Sequence, residues 1–233
     1  MMVKAITFFF FSALIFTFPM TCPLCQSPHA SHYHTDKKRD YFQCSRCELV
    51  YVGPAYLPSK EREKQEYDLH ENSFEDVGYR KFLRKVLTPL TPYIDAHEPG
   101  TLKGLDFGCG PAPVLAAMLT EQGVQMSTYD PFYANTSDAL SHTYNIVTCT
   151  EAIEHFHAPH KEWALLNSLL APKGILAIMT KRVLDKARFE NWHYKNDITH
   201  VSFFSEATFR FLGQRDGLDV AFPADDVVLL KKI

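Results

Sequence analysis

From residue 102 onward, apolar and polar positions alternate in blocks that read as strand, turn and helix. Residues 102–107, 124–129, 145–150 and 175–180 are short apolar runs of strand length. Residues 114–122, 160–170 and 206–212 carry helical spacing between or after them. Two late apolar runs, 218–222 and 227–230, close the chain. Strands alternating with helices predict an α/β fold, a mostly parallel sheet covered on both faces. The late pair suits an antiparallel edge. In such sheets ligands bind beyond the carboxyl ends of the strands, so the residues just after each strand matter most.

The stretch before residue 102 has a different texture. Residues 59–72, SKEREKQEYDLHEN, are polar and helix-prone, a solvated helix lying over something. Residues 78–96 place Phe82, Leu83, Val86, Leu87 and Leu90 at helical spacing, a stripe read as core packing. Pro89 and Pro92 are expected to break or bend its end. Short apolar runs at 41–42 and 49–52 read as the strands of a small ribbon, and Gly53-Pro54 with Pro58 marks a linker. The predicted organisation is an apolar extension at 1–19, a ribbon at 20–53, a helical lid or linker at 54–98 and the α/β domain at 99–233.

Residues 1–18 hold one lysine, Lys4, followed by an uncharged run to Phe18. That run of 14 residues is short for a membrane span, which needs ~20. It resembles the front of a signal peptide, but no A-x-A-like cleavage site follows. Two readings stand: Met20 is the true start, or the segment is a membrane anchor. A formal net charge of −3 gives no overall pull toward nucleic acid or anionic membrane.

Cysteine spacing sharpens the picture. CPLC (Cys22, Cys25) and CSRC (Cys44, Cys47) are separated by 18 residues, the pattern of a four-thiolate structural zinc site. Two disulfides in a secreted protein are the alternative. With zinc, the compartment is reducing and the cytoplasm is the expected location. His29, His32 and His34, between the knuckles, read as exposed loop residues.

The first strand of the α/β domain ends in Asp106-Phe-Gly108-Cys-Gly110. Glycines there allow a tight turn and close approach to a ligand. A carboxylate facing a pyrophosphate is unfavourable, and no Gly-Lys-Ser/Thr follows to make a phosphate loop. Asp106 suits a cationic ligand, such as the ammonium and sulfonium of S-adenosylmethionine. Asp130 ends the next strand, 20 residues after Gly110, where an acid can accept from both ribose hydroxyls; the plainer reading is a turn starter before Pro131.

LDFGCGP, YDP, VTCTEAIEHF and LLAPKGILAIMT together resemble the class I S-adenosylmethionine-dependent methyltransferases, the group that includes ubiquinone-biosynthesis O-methyltransferases. The resemblance runs over about residues 66–233 and implies a Rossmann-like domain. NWHYKNDITHVSFFS resembles a segment of a bacterial subgroup whose members often carry a preceding zinc ribbon. The chain departs from the family at Pro111, where a third glycine is common. Only 14 residues separate Asp130 from Asn145, too few for the usual helix, third strand and adenine-contacting acid; Asp138 is a weak candidate for that acid.

The resemblance implies that Glu151 lies close to the cofactor; the residues themselves point to Asp106, Gly108, Gly110 and Asp130, and to Asn72 on the lid, as further cofactor contacts. Tyr67 and His70 join Asn72 as lid candidates. Candidate bases are His155, His200 and Glu151, with His157, Tyr194 and Asp197 near them. Glu154-His155 admits three readings: a loop brace, a base, or, as in some ubiquinone O-methyltransferases, a divalent-metal site. The expected reaction is methyl transfer to an unidentified small-molecule acceptor. An RNA methyltransferase with a zinc module and a zinc-ribbon scaffold with a degenerate domain are the alternatives. DKKRD at 36–40 is the one basic cluster in the ribbon, and few aromatics accompany it, which argues against nucleic acid. The sequence does not fix an oligomeric state.

Overall fold

A computed structural model describes residues 20–69 and 73–233. The expectations for residues 1–19, His70 and Asn72 lie outside the described residues.

Six strands form the central sheet: β4 (Lys103–Phe107), β5 (Gln125–Tyr129), β6 (Tyr144–Thr150), β7 (Leu170–Met179), β9 (Leu218–Ala224) and β10 (Val227–Lys232). Their order is β5-β4-β6-β7-β10-β9. The first four are parallel, and β10 runs antiparallel to both β7 and β9. The period of two explains the unbroken apolar runs. Ile146, Ile175, Ala177 and Met179 point to one face, while Val147, Cys149, Leu176 and Ile178 point to the other.

Helices α2 (Val77–Asp95) and α3 (Val114–Glu121) cover the first face, with Leu83, Val86, Leu90, Ile94, Leu115 and Leu119 buried against it. On the second face lie α4 (Pro159–Ser168) and α6 (Glu206–Asp216), which bury Trp163, Leu166, Phe209 and Leu212. Contrary to the expected break, α2 continues past Pro89 and Pro92 to Asp95. Each proline leaves one carbonyl without its helical partner, Lys85 and Thr88 respectively. Both residues are exposed, so water can satisfy those oxygens, while Leu90 and Ile94 hold the last turns against the core. Ser205 caps α6 by accepting from Thr208 N at 3.1 Å.

Between β5 and β6 the described chain forms only a short 3-10 turn, Ser137–Leu140, and β5 is the sheet edge. The family's third strand is therefore missing here, as the short spacer predicts. Asp138 is exposed and lies 3.5 Å from His142.

The cysteine segment folds as a hairpin, β1 (Ala30–Thr35) with β2 (Asp40–Cys44), plus β3 (Val50–Val52). The sheet does not stop there. β3 pairs with β8 (Ser202–Phe203) from the α/β domain, Val50 opposite Phe203. Cys22, Leu24, Cys44, Cys47, Leu49 and Tyr51 share one buried cluster with Phe204 and Phe209. His32 and His34 sit on β1, not in a loop, with His29 just before it.

Candidate active site and thiol centre

The two knuckles are built alike. Gln26 and Glu48, each following the second cysteine of its pair, have positive φ of 59° and 58°. Gln26 N donates to Cys22 O at 3.0 Å and Glu48 N to Cys44 O at 2.9 Å. This aims four sulfurs at one point, all within 4.8 Å of one another. Cys22 and Cys47 Sγ are 3.6 Å apart, Cys25 and Cys44 Sγ 3.5 Å. Disulfides have S–S bonds of ~2.05 Å, whereas a tetrahedron of ~2.3 Å zinc bonds has edges of about 3.8 Å. The hydrogen bond from Cys47 pulls Cys22 down to about 5, while burial pushes Cys25 up to about 11. The Tyr51 hydroxyl is buried among these sulfurs without a hydrogen-bond partner. A metal-bound tetrathiolate supplies the missing acceptor, so the donor set fits zinc.

At the strand ends, Asp106, Asp130 and Glu151 follow or close the three adjacent strands β4, β5 and β6. Asp106 is buried and accepts from Thr148 Oγ1 at 2.7 Å. Burial raises its carboxyl to about 6. Among the described residues no side-chain cation pairs with it. Gly108 and Gly110 turn with φ of 75° and 64°. A Cβ on Gly108 would lie 2.6 Å from that of Ala152, while one on Gly110 would meet nothing within 4 Å. Gly108 thus packs against the β6 turn, and Gly110 faces open space.

Asp130 is anchored from three sides. Its Oδ2 accepts from Gly110 N at 3.0 Å; its Oδ1 accepts from Phe132 N at 2.8 Å and Tyr133 N at 3.1 Å. It therefore ties the glycine turn to the turn after β5. A carboxylate offers about four acceptor positions, so one remains for a ligand hydroxyl.

Glu151 takes φ of 47°, a left-handed backbone unusual for a glutamate. Burial, then the neighbouring Glu154, push its carboxyl up to about 8. Glu154 is fully buried. Its Oε2 accepts from Thr180 Oγ1 at 3.0 Å and its Oε1 from the Tyr194 hydroxyl, which also stands 3.3 Å from Glu151 Oε2. Both oxygens of Glu154 are engaged, which fits the brace, while one of them also lies within 4.8 Å of a ring nitrogen of His155 and of His200, a spacing compatible with the metal reading as well.

His155 and His200 stack edge to face with ring centroids 4.7 Å apart. His155 Nδ1 is 3.1 Å from Thr199 O, and His200 Nδ1 2.7 Å from Tyr194 O. A carbonyl only accepts, so each Nδ1 carries the proton and each Nε2 is left as a base. Burial lowers the affinity of His200 for a second proton. Asp197 Oδ2 stands 3.8 Å from His200 Nε2, while its Oδ1 holds Thr199 N at 2.8 Å.

The polar helix α1 (Lys60–Tyr67) lies over this edge. Tyr67 contacts the rings of His155 and Phe132 at 5.1 and 5.6 Å. Glu63 Oε1 is 2.9 Å from His157 Nε2, and Tyr133 donates to Asp68 at 2.6 Å. Tyr79 of α2, pushed up to about 12 by burial and by Asp106 and Glu151, is a site residue that the sequence reading missed. Thr148 and Thr180 were missed as well. Thr148 lies within β6 and Thr180 directly follows β7, and neither hydroxyl breaks the apolar pattern enough to stand out.

A family profile described as "Methyltransferase domain" matches residues 78–221. A stretch of 79 residues is 30% identical to a ubiquinone biosynthesis O-methyltransferase of Citrobacter koseri, covering 34% of this chain and 33% of that protein. Among solved structures, magnesium protoporphyrin IX methyltransferase of Synechocystis, with bound SAH, is 15% identical over 77% of this chain and 97% of its own, with a TM-score of 0.46. The 1,6-didemethyltoxoflavin-N1-methyltransferase of Burkholderia thailandensis is 14% identical over 87% and 99%, with a TM-score of 0.46. With the family profile spanning most of the chain and the strand order and glycine turn in place, the protein belongs to the methyltransferase-domain family, among the class I S-adenosylmethionine-dependent methyltransferases.

Proposed function

We propose that the protein transfers the methyl group of S-adenosylmethionine to an O, N or C atom of a small molecule. One observation carries the reading: the buried, unpaired Asp106 carboxylate lies beside a glycine turn whose open side a single Cβ would enter. A buried carboxylate whose only side-chain partner is a neutral hydroxyl, Thr148, calls for a cationic ligand. S-adenosylmethionine supplies a methyl group already activated on a sulfonium, so the protein's main tasks are alignment and proton removal.

Asp106 and Asp130 flank the turn on the cofactor side. Glu151, with its strained backbone, stands between that side and the cluster of Glu154, Tyr194 and Thr180. His155 and His200 supply two Nε2 lone pairs for a proton lost by an oxygen or nitrogen nucleophile. Tyr67 closes the site from above and excludes water. Cys22, Cys25, Cys44 and Cys47 would hold zinc as a structural tie, with no part in the transfer.

Arg39 bears on the RNA alternative. It is buried and bonded to backbone carbonyls, which leaves Lys37 and Lys38 as the exposed cations of DKKRD. That supports a small-molecule acceptor. Calorimetry with S-adenosylmethionine tests the reading: micromolar binding with heat lost in Asp106→Ala is expected. No binding at millimolar cofactor would favour the scaffold alternative.

A further inference from the structure

The β1–β2 hairpin ends in a rigid turn. Asp36 Oδ1 accepts from Lys38 N at 2.8 Å and Arg39 N at 2.9 Å, and Asp36 N donates to Arg39 O at 3.1 Å. This aims Arg39 away from the ribbon and into the segment between the 3-10 turn His193–Asn196 and β8. Arg39 is 5% exposed. Its Nη1 donates to Ile198 O and His200 O, both at 3.0 Å. Its Nη2 donates to Asp197 O at 2.9 Å and to Lys195 O, and its Nε to Tyr41 Oη at 3.3 Å. A guanidinium has five N–H groups, and each faces one of these five acceptors. Asp36 Oδ2 completes the network by accepting from Tyr41 at 2.8 Å and from the buried Lys195 Nζ at 3.1 Å.

The four carbonyls belong to residues 195–200, the segment that directly follows Tyr194 and carries Asp197, Thr199 and His200. We propose that Arg39 is a positioning residue for methyl transfer: the thiol-bound ribbon holds His200 and Tyr194 in place through its guanidinium. The thiol centre and Arg39 sit at opposite ends of the β1–β2 hairpin, with Cys44 closing β2 and Arg39 just before it. β3 then pairs with β8 immediately after the clamped loop. Metal binding and acceptor-side geometry are thereby coupled, while Asp106, Gly110 and Asp130 lie on other elements and are spared. The catalytic meaning rests on the methyltransferase reading; the mechanical coupling does not.

Lysine keeps the charge but has three donors from one atom, so Arg39→Lys cannot span four carbonyls. The test follows the His200 ring by NMR, assigned with His200→Gln, in the full-length protein. Glu154, His155, Asp197 and the Tyr194 carbonyl face that ring. In Arg39→Lys the His200 titration is expected to move up by at least about half a pH unit, as the ring loses its burial. S-adenosylmethionine affinity, by calorimetry, should stay within about threefold. Once an acceptor is in hand, kcat should fall about 100-fold, because small misplacements cost that much. Wild-type protein stripped of metal by a chelator should show the same His200 movement, which covers the case in which the variant fails to fold.

An unmoved His200 in a folded Arg39→Lys, or in the stripped protein, overturns the proposal. So does equal loss of cofactor binding, which would make Arg39 a general stability residue. If wild type does not bind cofactor while His200 still moves, the functional reading fails and the coupling stands.

Discussion

The ring of His200 donates its Nδ1 proton to the carbonyl oxygen of Tyr194 at 2.7 Å, which leaves Nε2 unprotonated beside His155. Burial keeps His200 neutral in the neutral range. His200→Gln preserves a polar side chain but removes the base. Turnover should drop by about 10²–10⁴-fold, with cofactor affinity unchanged by calorimetry. An unchanged turnover would hand the proton-accepting role to His155.

Asp106 sets a pH dependence with a definite sign. Burial lifts its carboxyl from 3.8 to about 6. A cationic cofactor prefers the ionised form, so affinity should weaken as pH falls below about 6, by about tenfold per unit. The apoprotein shows the opposite trend from this group. The protonated form is fully stabilised below 3.8, and that advantage, about 3 kcal/mol at most, is lost as pH rises through about 6. Asp106→Asn should bind cofactor weakly with no such pH step. Its melting temperature should fall less than that of wild type between pH 4 and 7, as scanning calorimetry would show.

The sequence exposes those parts of the site whose chemistry is local. Asp106, Gly108 and Gly110 are readable because a strand end, two glycines and an acid occur within five residues. The knuckles are readable because each is one tight turn. Arg39 was not, because its partners lie 156 to 161 residues away and they are backbone carbonyls, which leave no trace in side-chain pattern. DKKRD looked like a surface charge cluster for the same reason. The fourth ribbon strand was hidden too: β8 is two residues long, and SFF reads equally well as core. Pro89 and Pro92 misled because their cost is decided by the exposure of Lys85 and Thr88, a tertiary property.

Glu151 offers a proton-release signature. Its carboxyl, raised to about 8 by burial and by Glu154, is largely protonated at pH 7. A cation placed beside it lowers that value and expels the proton. Cofactor binding at pH 7 should release up to about one proton, read from calorimetric heats in buffers of different ionisation enthalpy. Glu151→Gln should abolish the release. Identical heats in all buffers for wild type would place the cofactor cation away from Glu151.

Asp130→Ala is expected to weaken cofactor binding more than Asp106→Asn does. Asp130 holds Gly110 N, Phe132 N and Tyr133 N, so its loss frees both turns that frame the ligand edge. Asp106→Asn keeps the shape and an acceptor for Thr148. A reversed order of affinities would count against both the ribose role and the importance of the turns that Asp130 braces.

The thiol centre should be both metal-bound and structural. The purified protein should carry about one zinc per chain by elemental analysis, and alkylation under native conditions should spare the four clustered cysteines. Because Cys22, Cys44 and Cys47 share a core with Phe204 and Phe209, loss of metal is felt beyond the ribbon. Cys44→Ser removes one thiolate and leaves three sulfurs, those of Cys22 and Cys47 buried, without a common cation. Its melting temperature should fall by about 10 °C or more, given ~2–4 °C per kcal/mol for a chain of this size and the several kcal/mol that a structural zinc contributes. A Cys44→Ser protein that melts like wild type, or a wild type that resists chelators and loses its fold only with a reducing agent, would mean that disulfides hold the ribbon.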